Sequence, residues 1–96
     1  MRRAARVDAN HADIIAAFRS FGFSVADTSR LGSGFPDCVI ARNGITGLVE
    51  IKDGSKPASA RRLTDDEERF RMNWNGRWEL VESFDDVMRI AQSWNQ

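Results

Sequence analysis

Two short runs decide how this chain folds. They are Gly34-Phe35-Pro36-Asp37-Cys38-Val39-Ile40-Ala41-Arg42 and Ile45-Thr46-Gly47-Leu48-Val49-Glu50-Ile51-Lys52, joined by Asn43-Gly44. Asn-Gly between apolar runs is the strongest short-range signal for a two-residue hairpin turn, because both residues tolerate positive φ. With that turn, Arg42 faces Ile45 and Asp37 faces Glu50. Directly opposed side chains in a hairpin have Cβ atoms about 4.5–5.5 Å apart. Side chains alternate along a strand, so Lys52 shares the face of Glu50. The expectation is two carboxylates and an ammonium group converging on one sheet face. A longer loop over 43–47 would shift this register, and a surface hairpin with a cross-strand salt bridge is the bland alternative.

Facing carboxylates repel. At about 5 Å and an effective dielectric of about 20 the cost is roughly 3 kcal/mol. A shared proton, the lysine or a divalent cation would relieve it. Carboxylate and water oxygens suit magnesium or manganese. Such a cation activates water and stabilises charge on a phosphoryl oxygen. Lys52 would orient or deprotonate that water, or stabilise a pentavalent transition state.

Working outward, a helix is expected over 10–21, ending at Gly22, with Ile14, Ala17, Phe18 and Phe21 as its apolar stripe. A strand over 23–28 and a glycine-rich loop over 29–36 lead into strands over 37–42 and 48–53. After a polar loop over 53–62, Thr64 and Glu67 have the spacing of a capping box that opens a second helix. Phe70 and Trp74 are its expected core contacts. A fourth strand over 77–81 follows the Asn75-Gly76 turn. Ser83 and Asp86 open a third helix, with Phe84, Val87, Met88 and Ala91 as its stripe and Trp94 at its end. The order α, three strands, α, strand, α argues for an α/β fold with a mixed sheet flanked by helices.

Ninety-six residues make one domain with a modest core. Formal net charge is zero, so no global field draws the chain to nucleic acid or membrane. The single cysteine, Cys38, excludes an intramolecular disulfide framework and fits a reducing compartment. Being next to Asp37, it points to the other face as a small buried hydrophobe. No apolar run approaches membrane-spanning length. Arg2, Arg3 and Arg6 lack the apolar segment of a signal peptide, so residues 1–8 are expected to form a flexible basic arm and residues 9–96 a single domain. His11 reads as exposed and inert, with no zinc set around it. The three tryptophans read as core or interface anchors.

Several other residues are candidates. Asp13 falls about a quarter turn from the centre of the first helix's stripe, taking ~100° per residue. It either reaches the metal site from the sheet rim or is a solvated acid in the first turn. Asn10 either caps that helix or needs a buried partner. Lys56, Arg61 and Arg62 cluster just after Lys52, and Ser55 and Arg30 stand nearby in sequence. Basic groups beside an acidic metal site suit a phosphodiester substrate, with solvated loop charge as the alternative.

Gly34-Phe35-Pro36-Asp37 followed after twelve residues by Glu50-Ile51-Lys52 resembles the PD-(D/E)XK nuclease superfamily. The extension Asp53-Gly54-Ser55-Lys56-Pro57 and the later Leu63-Thr64 are similar to its virus-type replication-repair nuclease (VRR-Nuc) family, in the small stand-alone phage-like form. The resemblance implies a restriction-endonuclease-like αβββαβα fold and Mg2+- or Mn2+-dependent cleavage of DNA. Asp37, Glu50 and the Ile51 carbonyl would ligate metal, and Lys52 would be the catalytic lysine. Asp13 would take the place of an acid on the first helix, as catalytic residue and metal ligand. Lys56, Arg61, Arg62, Arg30 and Ser55 would contact DNA. The family's small members look like homodimeric Holliday-junction resolvases, which implies a branched or four-way-junction substrate and a cytoplasmic setting in a phage or its bacterial host. A nicking or flap nuclease acting with a partner, and a non-catalytic DNA-binding module, are the alternatives.

Overall fold

Asn43 and Gly44 take positive φ, 55° and 79°, and form the two-residue turn. The strands it joins pair antiparallel, with Arg42 opposite Ile45 and Cys38 opposite Val49. The computed structural model describes residues 7–94. Its elements are α1 (His11–Ser20), β1 (Ser24–Asp27), β2 (Cys38–Arg42), β3 (Ile45–Ile51), a short 3-10 turn (Ala58–Ala60), α2 (Asp65–Asn73), β4 (Arg77–Val81) and α3 (Phe84–Ser93). The expected basic arm lies mostly outside the described residues.

The four strands form one sheet in the order β1-β2-β3-β4. The first three are antiparallel, while β4 runs parallel to β3, with Glu50 beside Leu80. A parallel neighbour requires a crossover, and α2 supplies it. The architecture is therefore mixed α/β with helices against the sheet. Among the described residues, no helix is long and apolar enough to cross a membrane.

Strand alternation sorts the side chains. Cys38, Ile40, Val49, Ile51 and Val81 face the core, where Ile14 and Phe18 of α1 and Val87, Ile90 and Ala91 of α3 cover them, with Trp94 beside them. The opposite face carries Leu48, Glu50 and Lys52. On that side α2 meets the loop before β2, with Phe70 edge-on to Phe35 at 5.2 Å between ring centroids.

Periodicity misplaces several apolar residues. Phe21, Phe84 and Met88 are exposed, and Ile15 and Ile90 are buried in their stead. Phe21 sits past the end of α1 and meets Phe84 at the surface, with ring centroids 6.0 Å apart. The second helix buries nothing: Trp74 is exposed and stacks on Phe70 as a satellite cluster. Of the tryptophans, Trp94 alone is fully buried among the described residues.

Trp94 needs room. A Cβ at Gly47 would lie 2.7 Å from its ring and 2.9 Å from Arg77. Both neighbours are held, so Gly47→Ala is expected to destabilise the protein by about 1–3 kcal/mol, as overpacking does. Urea unfolding checks this, and an unchanged midpoint would contradict the packing.

Candidate active site

Just beyond the Cys38–Val49 pair, the hairpin leaves regular ladder geometry. The Asp37 N–H donates to the Val49 carbonyl at 2.9 Å, and the Thr28 N–H donates to the Asp37 carbonyl at 2.9 Å. The Asp37 side chain turns along β3, and its Oδ2 accepts the Ile51 N–H at 2.8 Å. The preceding loop can reach this point because Gly34, at φ 83°, passes so close to α2 that a Cβ would lie 2.5 Å from the Asp66 carbonyl oxygen.

Asp37, Glu50 and Lys52 line one pocket together with Val7, Asp8, Lys56 and Glu67. Glu50 is 3% exposed, an extreme burial for a carboxyl group. Its Oε1 has no hydrogen-bond partner among the described residues. Burial pushes the Glu50 carboxyl well above its ordinary range, and the neighbouring Asp37 charge and hydrogen bond raise it further. Asp37 is also raised, chiefly by burial, against the lowering effect of its bonds to Glu50 and the Ile51 N–H. A buried and a half-buried carboxyl, both with raised affinity for protons and joined by a hydrogen bond, favour sharing a proton.

Lys52 is placed from the other side. Its Nζ donates to Glu67 Oε1 at 2.7 Å. Burial depresses the ammonium, but the hydrogen bond and charge of Glu67 outweigh that and leave its pKa raised. Burial likewise pushes Glu67 up, and Lys52 and the Thr64 N–H reverse this to a net lowering. Lys56 stands 3.9 Å from Asp8. Lys52 offsets Glu67 and Lys56 offsets Asp8, so the Asp37–Glu50 pair carries the surplus negative charge when ionised.

The remaining candidates are scattered. Asp13 is exposed and lines a separate groove with Asn10, Asp53 and Ser55. The physical reason is topological: α1 covers the sheet face opposite Glu50, so only its N-terminal approach, at Asp8, comes near the pocket. Asn10 spends its side-chain amide on the Lys52 and Glu82 carbonyls, at 3.1 and 3.4 Å, rather than capping α1. Arg61 is bound to Glu82 and to the Lys56 carbonyl. Ser55 is tied to Asp53. Arg30 and Arg62 are exposed.

His11 corrects another expectation. It is buried, with Nε2 3.1 Å from Asp27 Oδ2. Asp27 is held near pKa 2, first by its Ser29 hydrogen bonds and also by His11. Cys38 is inert: burial, reinforced by the Asp37 charge, pushes its thiol up to about 12. Asp8 and Glu67 are the pocket residues that sequence reasoning missed. The capping-box spacing flagged Glu67 as a helix cap, and the family resemblance, with its frequent glutamine near Glu67 or Glu68, left both acids without a role.

The mixed four-stranded sheet with its flanking helices matches the fold of a VRR-Nuc nuclease domain. No protein-family model and no curated protein matches the sequence. A solved structure described as a VRR_NUC domain is similar over 91% of this chain and 99% of its own, with 25% identity and a TM-score of 0.59. This likeness supports assignment of the chain to the VRR-Nuc family and implies a nuclease-type function. Nucleases of this fold typically use divalent metals.

A divalent cation fits the donor set. The orphaned Glu50 Oε1 and the Asp37 carboxyl are hard oxygens, and magnesium commonly takes one or two carboxylates and keeps several waters. Among the described residues no group of three or more His, Cys, Asp or Glu could hold a metal, so water and substrate would complete the shell.

The raised Glu50 carries a pH signature. Between the ordinary glutamate value of 4.5 and its raised folded value, the folded state binds a proton that the unfolded state does not. Stability is therefore greatest below the unfolded value and declines as pH rises. Thermal melts in EDTA from about pH 5 to about pH 9 are expected to show a falling Tm. Glu50→Gln should flatten that decline, and an equal slope in both proteins would contradict the assignment.

Proposed function

We propose that this protein is a divalent-metal-dependent, structure-selective DNA endonuclease, acting as a homodimer on four-way or otherwise branched DNA in the manner of a Holliday-junction resolvase. The observation that carries the nuclease reading is the buried Asp37–Glu50 pair with Lys52 on the same sheet face, in a pocket open to solvent. A binding module gains nothing from buried carboxylates aimed at an anionic ligand, because they would repel phosphate.

In this reading Asp37, Glu50 and the Ile51 carbonyl would hold Mg2+ or Mn2+, which would supply water activation and neutralise charge on the scissile phosphate. Hydrolysis forms a bond from the water oxygen to phosphorus and breaks the bond to one sugar oxygen, which leaves with a proton. Glu50 must surrender its proton to act as a ligand. Lys52 is the group with a charge to offer. Its raised pKa keeps it an ammonium, which favours stabilising a non-bridging phosphoryl oxygen over accepting a proton.

Lys56, at the pocket wall, holds a neighbouring phosphate, and the exposed Arg30 and Arg62 extend that contact. Arg61 and Ser55 act through the loop they brace. Asp13 serves at most through water, from the groove next to Asp53. The junction preference and the dimer rest on the family resemblance, and two-fold symmetry would give a four-way junction its two matched cuts.

The test is cleavage of a labelled four-way junction, a flap and a linear duplex with Mg2+, Mn2+ or EDTA. Paired, metal-dependent cuts in the junction are expected. Lys52→Ala should lower kcat on the order of 100- to 1,000-fold while DNA affinity holds. Uncut substrates despite bound DNA would favour a non-catalytic module. A cut flap with an intact junction would favour a flap nuclease. Full activity in Glu50→Ala would refute the metal site.

A further inference from the structure

Glu67 belongs to two structures at once. It is the third residue of α2, and its backbone N–H donates to Thr64 Oγ1 at 3.2 Å. Its own Oε1 accepts the Thr64 N–H at 2.9 Å, closing the capping box. The same oxygen accepts Lys52 Nζ at 2.7 Å. A capping box needs only an acceptor, and glutamine serves in it as well as glutamate. Charge at this position therefore goes beyond what the helix requires.

The surroundings make the bond consequential. The Lys52 and Glu67 side chains are 12% and 18% exposed, so water competes weakly for either. Lysine is a flexible stem with three rotatable donors, and fixing one costs entropy unless a strong acceptor holds it. The two members come from different elements: Lys52 follows β3, and Glu67 opens the crossover helix. α2 contributes no buried residue to the core, so this bond ties its first turn to the end of β3, while Phe70 further along rests on Phe35 in the loop before β2. The groups facing Glu67 are Thr64, Lys52 and Glu50.

We propose that Glu67 is a positioning residue, a capping-box carboxylate whose shared Oε1 fixes the Lys52 ammonium beside the Asp37–Glu50 pair. The inference rests on the nuclease reading for its consequence in turnover, but not for the clamp itself. With the clamp in place, Lys52 meets the scissile phosphate in one orientation. Without it the stem samples several, and a displacement of about 1 Å can cost on the order of 100-fold in rate.

The experiment separates clamp from cap. Lys52 and Lys56 are the only lysines in the chain, so the side-chain 15Nζ spectrum of the protein without metal or DNA holds two lysine signals, assigned with Lys56→Arg. The Lys52 signal is expected to be ordered and slow to exchange in the native protein and in Thr64→Ala, which breaks the cap but leaves the carboxylate. In Glu67→Ala it should average to a free ammonium. Glu67→Gln keeps the cap and the fold but weakens the charge-assisted bond, and should fall between. On DNA with Mg2+, Glu67→Ala should lose on the order of 10- to 100-fold in kcat with KM nearly constant, and Thr64→Ala should keep its kcat. A Lys52 signal unchanged in Glu67→Ala and Glu67→Gln, equal kcat losses in Thr64→Ala and Glu67→Ala, or a raised kcat in Glu67→Ala would overturn the proposal. A native protein that cuts nothing refutes the nuclease reading, and the nitrogen spectra then decide the clamp alone.

Discussion

The rest of the site depends on the repulsion between two carboxyls that the hairpin forces to face each other. Asn43-Gly44 fixes the register, and just past its last pair, Cys38 with Val49, Asp37 and Glu50 come together in one pocket. Burial makes the conflict worse, since Glu50 is almost without water and one of its oxygens has no partner. Core packing gives no reason for such a pair, because the apolar core lies on the other face of the same strands. A shared proton, which the raised pKa of both groups favours, would relieve the conflict, and a divalent cation would relieve it with greater charge.

Around this conflict the fold is arranged as a support. The face under α1 and α3 supplies apolar burial through Phe18, Trp94 and the inward residues of β2, β3 and β4. That leaves the opposite face free to carry charge. α2 approaches that face without burying a residue of its own, held by the Phe35–Phe70 contact, the Lys52–Glu67 ion pair and the close passage of Gly34 by Asp66. The cost is a crossover helix weakly fastened to the sheet. The consequence is that its first turn can hold a lysine while its later turns present Phe70 and Trp74 to a shallow surface groove.

The hairpin was legible in the sequence because turn chemistry and strand alternation are local, so a two-residue signal sets the position of Glu50 from Asn43-Gly44 alone. The capping box at Thr64 and Glu67 was legible for the same reason. What sequence could not supply were contacts between distant elements. The partnership of Lys52 with Glu67 depends on where the crossover helix lands. His11 looked exposed because helical spacing says nothing of Asp27, which reaches across from β1 to pair with it. Asp13 and Asp8 illustrate the same limit: both sit near the start of α1, but the face on which the helix packs decides which of them approaches the pocket. Helix stripes erred at their ends, where Phe21 lies past the last turn and Phe84 begins the first.

The central claim is that Asp37 and Glu50 hold a proton which a divalent cation displaces. Calorimetric titration of Mn2+ into the protein at pH 7, repeated in buffers of different ionisation heat, measures this directly. Saturable binding with release of about one proton per ion is expected, with loss of both in Glu50→Gln. Binding that releases no proton, or that survives Glu50→Gln unchanged, would contradict it.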